Sequence, residues 1–236
     1  RNMKKMILFI FALLACHAGY AQYFCTIEGA ELHYVNYDEA GQSVSNETAV
    51  VGYVGRDGNN LSAAYVNKIV TNKLKGNTSY TRFDWNYDGN QTVCVEDLVF
   101  GPYIDSDSDP AKYNTAARAA MQEELKFKGD NSLILKRNAK AGESMPDRSY
   151  SLIVNMLKNE ITLSGATYMG EERISTTAGK FDCIKISYLK RTKVLLKTTT
   201  HRINEWYAEG IGLVKSESFD MKGKPAGKTL LVKIVK

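Results

Sequence analysis

Residues 84–89 have side chains of the types that bind calcium. Their order, Asp-Trp-Asn-Tyr-Asp-Gly, matches the first six positions of an EF-hand loop. That loop also needs a bidentate carboxylate at its twelfth position, where this chain has Val95, and Glu96 comes one residue too late. The aromatic residues of the segment alternate with polar ones, as on a strand with one wet face. The pattern therefore predicts a hairpin turn at the Asp-Gly step, without a metal.

Residues for hydrolysis are few. After residue 21 the chain has only His33 and His201, and it has no Gly-x-Ser-x-Gly motif. Ser144 is followed by Met-Pro where a nucleophile elbow needs a glycine. Glu205 and Glu209 share a parity on a predicted strand, but nothing in the sequence sets their separation. We therefore predict no catalytic residue and no cofactor.

Residues 1–21 are predicted to be a secretory signal peptide. Lys4 and Lys5 precede a short apolar run, and small residues lead to Ala21, after which cleavage would leave Gln22 first. The run is too short for a membrane span. Arg1 and Asn2 precede the predicted initiator methionine and carry no information about the fold.

Residues 13–16 offer an alternative, because Leu-Leu-Ala-Cys resembles a bacterial lipobox. In that case the protein would be a lipoprotein anchored through Cys16. The anatomy of the signal favours cleavage after Ala21 and export to the periplasm or cell surface. No second transmembrane run follows in the mature chain.

Charge gives little indication of a partner. Removal of the signal takes away three basic residues and lowers the net charge from +5 to +2. So small a surplus gives no argument for nucleic acid or for an anionic membrane surface. Basic residues concentrate in residues 185–197, which we interpret as a solvated strand face that discourages edge pairing.

Three cysteines remain in the mature chain: Cys25, Cys94 and Cys183. Their spacings of 69 and 89 residues match no zinc pattern. One disulfide with a free thiol and three buried thiols are both compatible with the sequence.

Alternating apolar positions separated by glycine turns dominate the rest of the chain. They predict a mostly β fold, an extended curved antiparallel meander of half-barrel or open-barrel type, as a single domain over residues 22–236. A helical insertion is predicted near residues 108–128. Pro110 suits a first helical turn, and residues 111–127 are rich in Ala, Met, Leu and Glu without glycine. We expect this one helix to pack across the sheet.

Two motifs resemble those of the TapB-like family of exported bacterial domains of unknown function. They are Thr-Thr-Ala-Gly-Lys-Phe-Asp-Cys-Ile-Lys-Ile at residues 176–186 and Glu-Trp-Tyr-Ala-Glu-Gly-Ile-Gly-Leu-Val-Lys-Ser-Glu at residues 205–217. Residues 88–90 and 142–147 extend the resemblance, which spans most of residues 32–234. The resemblance implies a curved antiparallel sheet and supplies no established activity.

The second motif has a physical reading as a folding signature, together with Cys183 of the first. Gly210 and Gly212 bracket Ile211, so that the chain can bend sharply between two strands. Trp206 is expected to pack near this corner.

Curvature and the absence of catalytic groups together favour a non-enzymatic binding protein. We expect its concave face to hold a hydrophobic or lipid-like small molecule, or an envelope partner. Equally, the same side chains could simply form the core. An exported hydrolase acting on envelope polymers and a surface-assembly protein are the alternatives. The residues predicted to line the face are Phe83, Trp85, Tyr87, Tyr150, Leu152 and Val154.

Overall fold

The computed structural model describes residues 22–72, 78–98, 126–154 and 157–236. The predicted signal peptide lies outside these ranges. Most of the described residues belong to antiparallel strands of a single sheet. No helix in the described ranges is long and apolar enough to cross a membrane.

Thirteen strands make up the sheet in these ranges. Their bounds are β1 Glu31–Tyr37, β2 Ser43–Asp57, β3 Asn60–Thr71, β4 Thr78–Tyr87, β5 Gln91–Asp97, β6 Lys126–Gly129, β7 Leu133–Lys136, β8 Arg148–Val154, β9 Leu157–Thr176, β10 Gly179–Val194, β11 Lys197–Ala208, β12 Gly212–Phe219 and β13 Pro225–Val235.

Two meanders meet in the middle of the sheet. The strand order is β6-β8-β9-β10-β11-β12-β13-β1-β2-β3-β4-β5-β7. Strands β8 to β13 are neighbours in the order in which they follow along the chain, and so are β1 to β5. The last strand pairs with the first, Val35 lying opposite Leu230. This single long-range ladder joins the two halves of the chain.

The sheet curls until the β7 side meets the middle of β9. The backbone N–H of Lys136 on β7 donates to the Tyr168 hydroxyl at 2.8 Å, and this hydroxyl donates to the carbonyl of Ile134 at 3.3 Å. The bridge between Ser144 and Thr167 continues the β8–β9 ladder next to this contact. The inward side chains of both meanders therefore enclose one interior.

Residues 22–30 enter this interior and fill part of it with residues 22–25, which are buried, whereas Glu28 and Gly29 are exposed. Phe24 is fully buried and stacks on Trp85, with ring centroids 5.8 Å apart. The Tyr23 N–H donates to Thr92 Oγ1 at 3.1 Å, and the Tyr65 hydroxyl donates to the carbonyl of Cys25 at 2.8 Å. We call residues 22–30 the plug segment. It covers apolar surface of the sheet's inner face that a curved sheet alone would leave open to water.

The prediction of one helix packed across the sheet is wrong. The described ranges contain no helix, and the end of the predicted helix, Lys126 and Phe127, lies in strand β6 paired with β8. The rest of the predicted insertion, residues 108–125, lies outside the described residues. Helix propensity is a weak signal, and at Lys126–Gly129 the ladder with β8 overrides it. The plug segment, rather than a helix, packs against the inner face of the sheet.

One end of the sheet continues as an extension. Strands β9 and β10 have 20 and 16 residues, and their outer halves pair with β8 and with the start of β11. Strand β12 pairs with β11 only from Arg202 onward. Among the described strands, residues 197–201 therefore pair with β10 alone. We define the arm as β6 and β8 with residues 157–164, 187–194 and 197–204.

All three described cysteines are buried free thiols. Of the two arrangements compatible with the sequence, the structure therefore has the one without a disulfide. Burial raises the pKa of each thiol, and that of Cys183 rises to about 12.

Candidate functional site

A cavity of about 270 Å³ remains in the interior beside the plug segment. It exists because inward side chains alternate with outward ones along every wall strand. On β3, for example, Leu61, Ala63, Tyr65 and Asn67 are buried, and the residues between them are more accessible. The cavity combines aromatic walls with the side chains of three glutamates and two basic residues.

Aromatic rings form one wall. Register places Phe83 beside Tyr65, and Trp85 beside Cys94. Trp85 and Tyr65 also contact each other, with ring centroids 5.9 Å apart. Large, rigid rings of this kind bury an apolar ligand body at little entropic cost.

Glu205 lies deep in the cavity wall. Its Oε2 accepts a 2.9 Å hydrogen bond from the Tyr207 hydroxyl, and the Tyr188 hydroxyl also bonds to it. Burial raises the pKa of the Glu205 carboxyl above its ordinary value, and the two tyrosine hydrogen bonds oppose that rise. The same burial raises the pKa of both tyrosines.

Two further carboxylates line the cavity from the other meander. Glu47 Oε1 accepts a 2.5 Å hydrogen bond from Asn67 Nδ2. Burial raises the pKa of Glu47 and also of Glu96, and the nearby Glu47 carboxylate adds to the rise at Glu96. Lys190 opposes the rise at Glu96, since an opposite charge favours the ionised form.

Arg148 and Lys190 supply positive charge on the wall opposite β4 and β5. Both pair laterally with Leu163 of β9, Arg148 from β8 and Lys190 from β10. Lys190 is exposed at the mouth, whereas only 6% of Arg148 is accessible. The positive charge of Arg148 favours the ionised form of Glu205 in the same cavity. A guanidinium in a cavity wall can also receive an anionic group from outside the chain.

Two more polar atoms in the cavity lack partners among the described residues. They are Nε1 of Trp85, a donor, and Oδ1 of Asn67, an acceptor, and each residue is only 7% accessible. Buried polar groups are nearly always hydrogen-bonded, and an unmade bond costs about 1–3 kcal/mol. A ligand that accepts from Trp85 and donates to Asn67 would relieve both.

The structure places the residues predicted to line a concave face in different parts of the molecule. Phe83, Trp85 and Tyr150 line the cavity. Tyr87 lies in an open groove near the β4–β5 turn, and its hydroxyl donates to the carbonyl of Gly89 at 2.8 Å. Leu152 lies opposite Phe127 on the arm and outside the cavity lining. The side chain of Val154 lies outside the described residues.

Residues of the structural motif surround the β11–β12 turn. Gly210 and Gly212 have φ angles of +68° and +109°, which glycine adopts without strain. Trp206 lies on the other face of β11 from Glu205, and its Nε1 donates to Glu172 Oε2 at 2.8 Å. Its ring lies between two ammonium groups, those of Lys185 at 4.7 Å and Lys215 at 4.4 Å. Cys183 is buried on β10, opposite Ala208.

The EF-hand-like segment forms a hairpin turn. Asp88 Oδ1 accepts the backbone N–H groups of Asn90 and Gln91 at 2.9 and 2.8 Å, and Asp84 pairs with Arg82 at 2.8 Å. Those hydrogen bonds lower the pKa of Asp88. The described residues contain no group of three or more potential metal ligands.

Sequence reasoning missed the charged lining: Glu47, Glu96, Arg148 and Lys190. Glu205 was noticed but not assigned to a site. A signal was present in β2, where Ser45, Glu47, Ala49 and Val51 share one parity, so a glutamate stands on an otherwise buried face. Parity within one strand cannot show that carboxylates of different strands meet, because their distance depends on sheet order.

Residues 27–231 match the DUF3108-like family. The chain belongs to the DUF3108-like family. The narrower TapB-like name, predicted from the two motifs, is not confirmed by this match. No curated protein matches the chain.

Two crystal structures share the fold of this DUF3108-like chain. One, from Bacteroides fragilis, is described as an exported protein with a YmcC-like fold; it is 20% identical, with a TM-score of 0.67 over 90% of this chain and 98% of that one. The other, described as a lipoprotein from Parabacteroides distasonis, is 17% identical, with a TM-score of 0.68 over 92% and 99%. At these identities the likeness shows the fold alone.

Proposed function

We propose that this DUF3108-like protein is exported and that its interior cavity binds a small amphiphilic ligand without transforming it. Export is supported by the predicted signal peptide and by the exported and lipoprotein descriptions of the two structural neighbours. The periplasm or the cell surface is the proposed compartment, and anchoring through Cys16 is the alternative.

The observation that carries the binding proposal is the set of unpartnered polar atoms inside an aromatic cavity. Trp85 and Asn67 each keep one buried polar atom without a partner among the described residues, and the guanidinium of Arg148, which is only 6% accessible, belongs to the same cavity lining. Small-molecule sites combine apolar walls with a few convergent polar groups in this way. The volume of about 270 Å³ is close to the lower bound of about 300 Å³ for such sites.

The ligand chemistry follows from the lining. An apolar or aromatic body fits against Phe83 and Trp85, and an anionic head fits against Arg148 and Lys190. A hydroxyl or amide group would accept from Trp85 and donate to Asn67. A short-chain lipid-like acid or an acylated envelope fragment has this chemistry.

Native mass spectrometry of the protein purified from its own cell envelope tests occupancy. We expect a discrete added mass that disappears when the protein is denatured. A clean apo mass in every preparation would count against the proposal.

Binding of 1-anilinonaphthalene-8-sulfonate, an aromatic anion, tests the site itself. Arg148→Met should weaken saturable binding by about tenfold, because one charge-assisted contact is lost. Lys222→Met, which removes an exposed lysine from the β12–β13 turn, is the matched control and should leave binding unchanged. Melting temperatures of both variants show that each is folded. Equal affinity of the Arg148 variant and the parent protein would refute the assignment.

A hydrolase acting on envelope polymers is a second candidate, favoured by three half-buried carboxylates, Glu47, Glu96 and Glu205, in one cavity. Carboxylates with raised pKa values are suited to general acid catalysis. The two functions differ in the fate of the ligand. A captured molecule recovered unchanged after prolonged incubation supports binding, and conversion that Glu96→Gln abolishes supports the hydrolase.

A further inference from the structure

We propose that the tip of the arm docks on an anionic lipid bilayer. The arm carries nine Lys and Arg residues and a single acidic residue, Glu160. The cavity takes two of these basic residues, Arg148 and Lys190. The other seven are exposed: Lys126, Lys128, Lys158, Arg191, Lys193, Lys197 and Arg202.

The arm ends in an exposed apolar turn. Val194 and Lys197 pair across the β10–β11 hairpin, so Leu195 and Leu196 form its two-residue loop. Leu195 is 67% exposed and Leu196 is completely exposed. Leu157, also exposed, begins the neighbouring strand β9 at the same end. These side chains make no contribution to the interior of the sheet.

The backbone of this loop is unfavourable for leucine. Leu195 has a φ of +54°, a conformation that two-residue hairpins usually give to Gly, Asn or Asp. A β-hairpin at this position would form more readily with Gly-Asn, which is also more soluble. Neither folding nor solubility accounts for two leucines here, and a strained, exposed residue points to function.

The charge pattern selects the occupant. Glu160 is shared by Lys158 at 2.7 Å and Lys193 at 3.4 Å, so the arm's sole carboxylate neutralises only part of its positive charge. A lipid surface rich in anionic headgroups complements such a patch, and apolar side chains at its centre can enter the boundary with the acyl chains. A protein partner would need an acidic surface surrounding an apolar pocket. The bilayer supplies both properties over an extended plane, which the projecting tip can reach without a matching shape.

This inference does not depend on the cavity ligand, because the tip residues lie outside the cavity lining. A vesicle assay and the anilinonaphthalene sulfonate assay can therefore fail independently. If vesicle binding fails and cavity binding persists, only the docking proposal is lost.

Cosedimentation of the purified mature chain with vesicles tests the proposal. Vesicles of equal parts phosphatidylglycerol and phosphatidylcholine are compared with vesicles of phosphatidylcholine alone. We expect binding to the anionic vesicles. Raising the salt concentration to about 0.5 M should weaken this binding, because the added ions screen the charges. Absence of binding to anionic vesicles, or equal binding to both kinds, would overturn the proposal.

The double variant Leu195→Gly, Leu196→Asn separates insertion from adsorption. Gly-Asn suits a two-residue hairpin whose first residue alone has positive φ, so the fold should be retained, and loss of both leucines should weaken binding by about tenfold or more. Met221→Ser is the matched control, since Met221 is 57% exposed in another lysine-containing turn. We expect it to bind as the parent protein does. Undiminished binding by the double variant would show adsorption by charge alone and would contradict docking through the tip.

Charge is tested by Arg191→Gln and Lys197→Gln. Each should weaken binding to anionic vesicles by about fivefold, the equivalent of ~1 kcal/mol for one basic residue near an anionic surface. Lys180→Gln, an exposed lysine at the opposite end of β10 from the tip, should have no effect. An equal loss for all three variants would show that overall charge drives binding and would overturn the assignment to the arm.

Discussion

The backbone N–H of Gly210 donates a 2.8 Å hydrogen bond to the carbonyl of Gln22. This contact joins the β11–β12 turn to the start of the plug segment. Gly212 lies against the same segment, since a Cβ at that position would be 3.5 Å from the carbonyl oxygen of Tyr23. The glycine motif therefore has a second role beside bending the chain, because it also contacts the plug segment inside the sheet.

Replacing either motif glycine with valine should destabilise the protein. Both glycines have positive φ, where a β-branched side chain is strained, and a loss of about 1–3 kcal/mol is expected for each. Urea unfolding measures the change. Gly210→Asn is the control, because asparagine tolerates the left-handed conformation and nothing lies within 4 Å of its Cβ position. Native unfolding curves for both valine variants would rule out a conformational role for the motif.

Phe24→Ala should reveal the contribution of the plug segment. Phe24 is fully buried and stacked on Trp85, so its truncation should lower the free energy of unfolding by about 3–5 kcal/mol. Phe127, which is 42% exposed, provides the matched Phe→Ala control and should cost about 1 kcal/mol or less. Similar losses in the two variants would mean that the plug segment does not form part of the core.

Glu205→Gln should change the pH dependence of stability. Burial raises the pKa of Glu205 in the folded state, so this carboxyl opposes folding once it ionises. Its unfavourable effect is absent below the unfolded pKa and grows as pH rises through the window up to the folded pKa. Relative to the parent protein, the variant should therefore gain stability as the pH rises above the ordinary glutamate pKa of about 4, as measured by urea unfolding over a series of pH values.

Glu143→Gln should show the opposite sign. Hydrogen bonds from Lys136 and from the Lys140 N–H lower the pKa of Glu143, so its contribution is present above the unfolded pKa and is lost as pH falls through the folded pKa. The variant should lose stability relative to the parent as pH rises. The same slope for both variants would be inconsistent with burial as the cause of the Glu205 shift.

The thiols should be unreactive in the native protein. Cys183 has a pKa raised to about 12, and Cys25 is likewise buried with a raised pKa, so neither supplies thiolate at pH 8. Ellman's reagent should leave both unmodified in buffer and modify all three cysteines in urea. Rapid modification of Cys25 or Cys183 in buffer would contradict their burial. An intact mass without the loss of two hydrogens checks the absence of a disulfide.

The strand content of this protein could be predicted from local pattern, because alternation and glycine turns are properties of adjacent residues. Phe83 and Trp85 were assigned to an inner face on that basis, and both line the cavity. The prediction of a helix at residues 111–127 is wrong at Lys126 and Phe127, the part that the structure describes. Their helix propensity competes with the ladder between β6 and β8, which the sequence does not reveal. Leu152 has the parity of Tyr150 but lies on the arm beyond the cavity.

The sequence by itself determined the alternating strands and the Asp88-Gly89 hairpin turn. Tertiary structure decided which residues meet. Glu47, Arg148 and Glu205 come from distant strands, and they share one cavity because the β13–β1 ladder joins the two meanders and the β7 side closes on β9. It also decided where charge acts. A mature net charge of +2 indicated no membrane affinity, yet long hairpins gather the excess of basic residues at one end of the sheet, beside two exposed leucines. Electrostatic attraction depends on that local arrangement, which only long-range strand pairing creates.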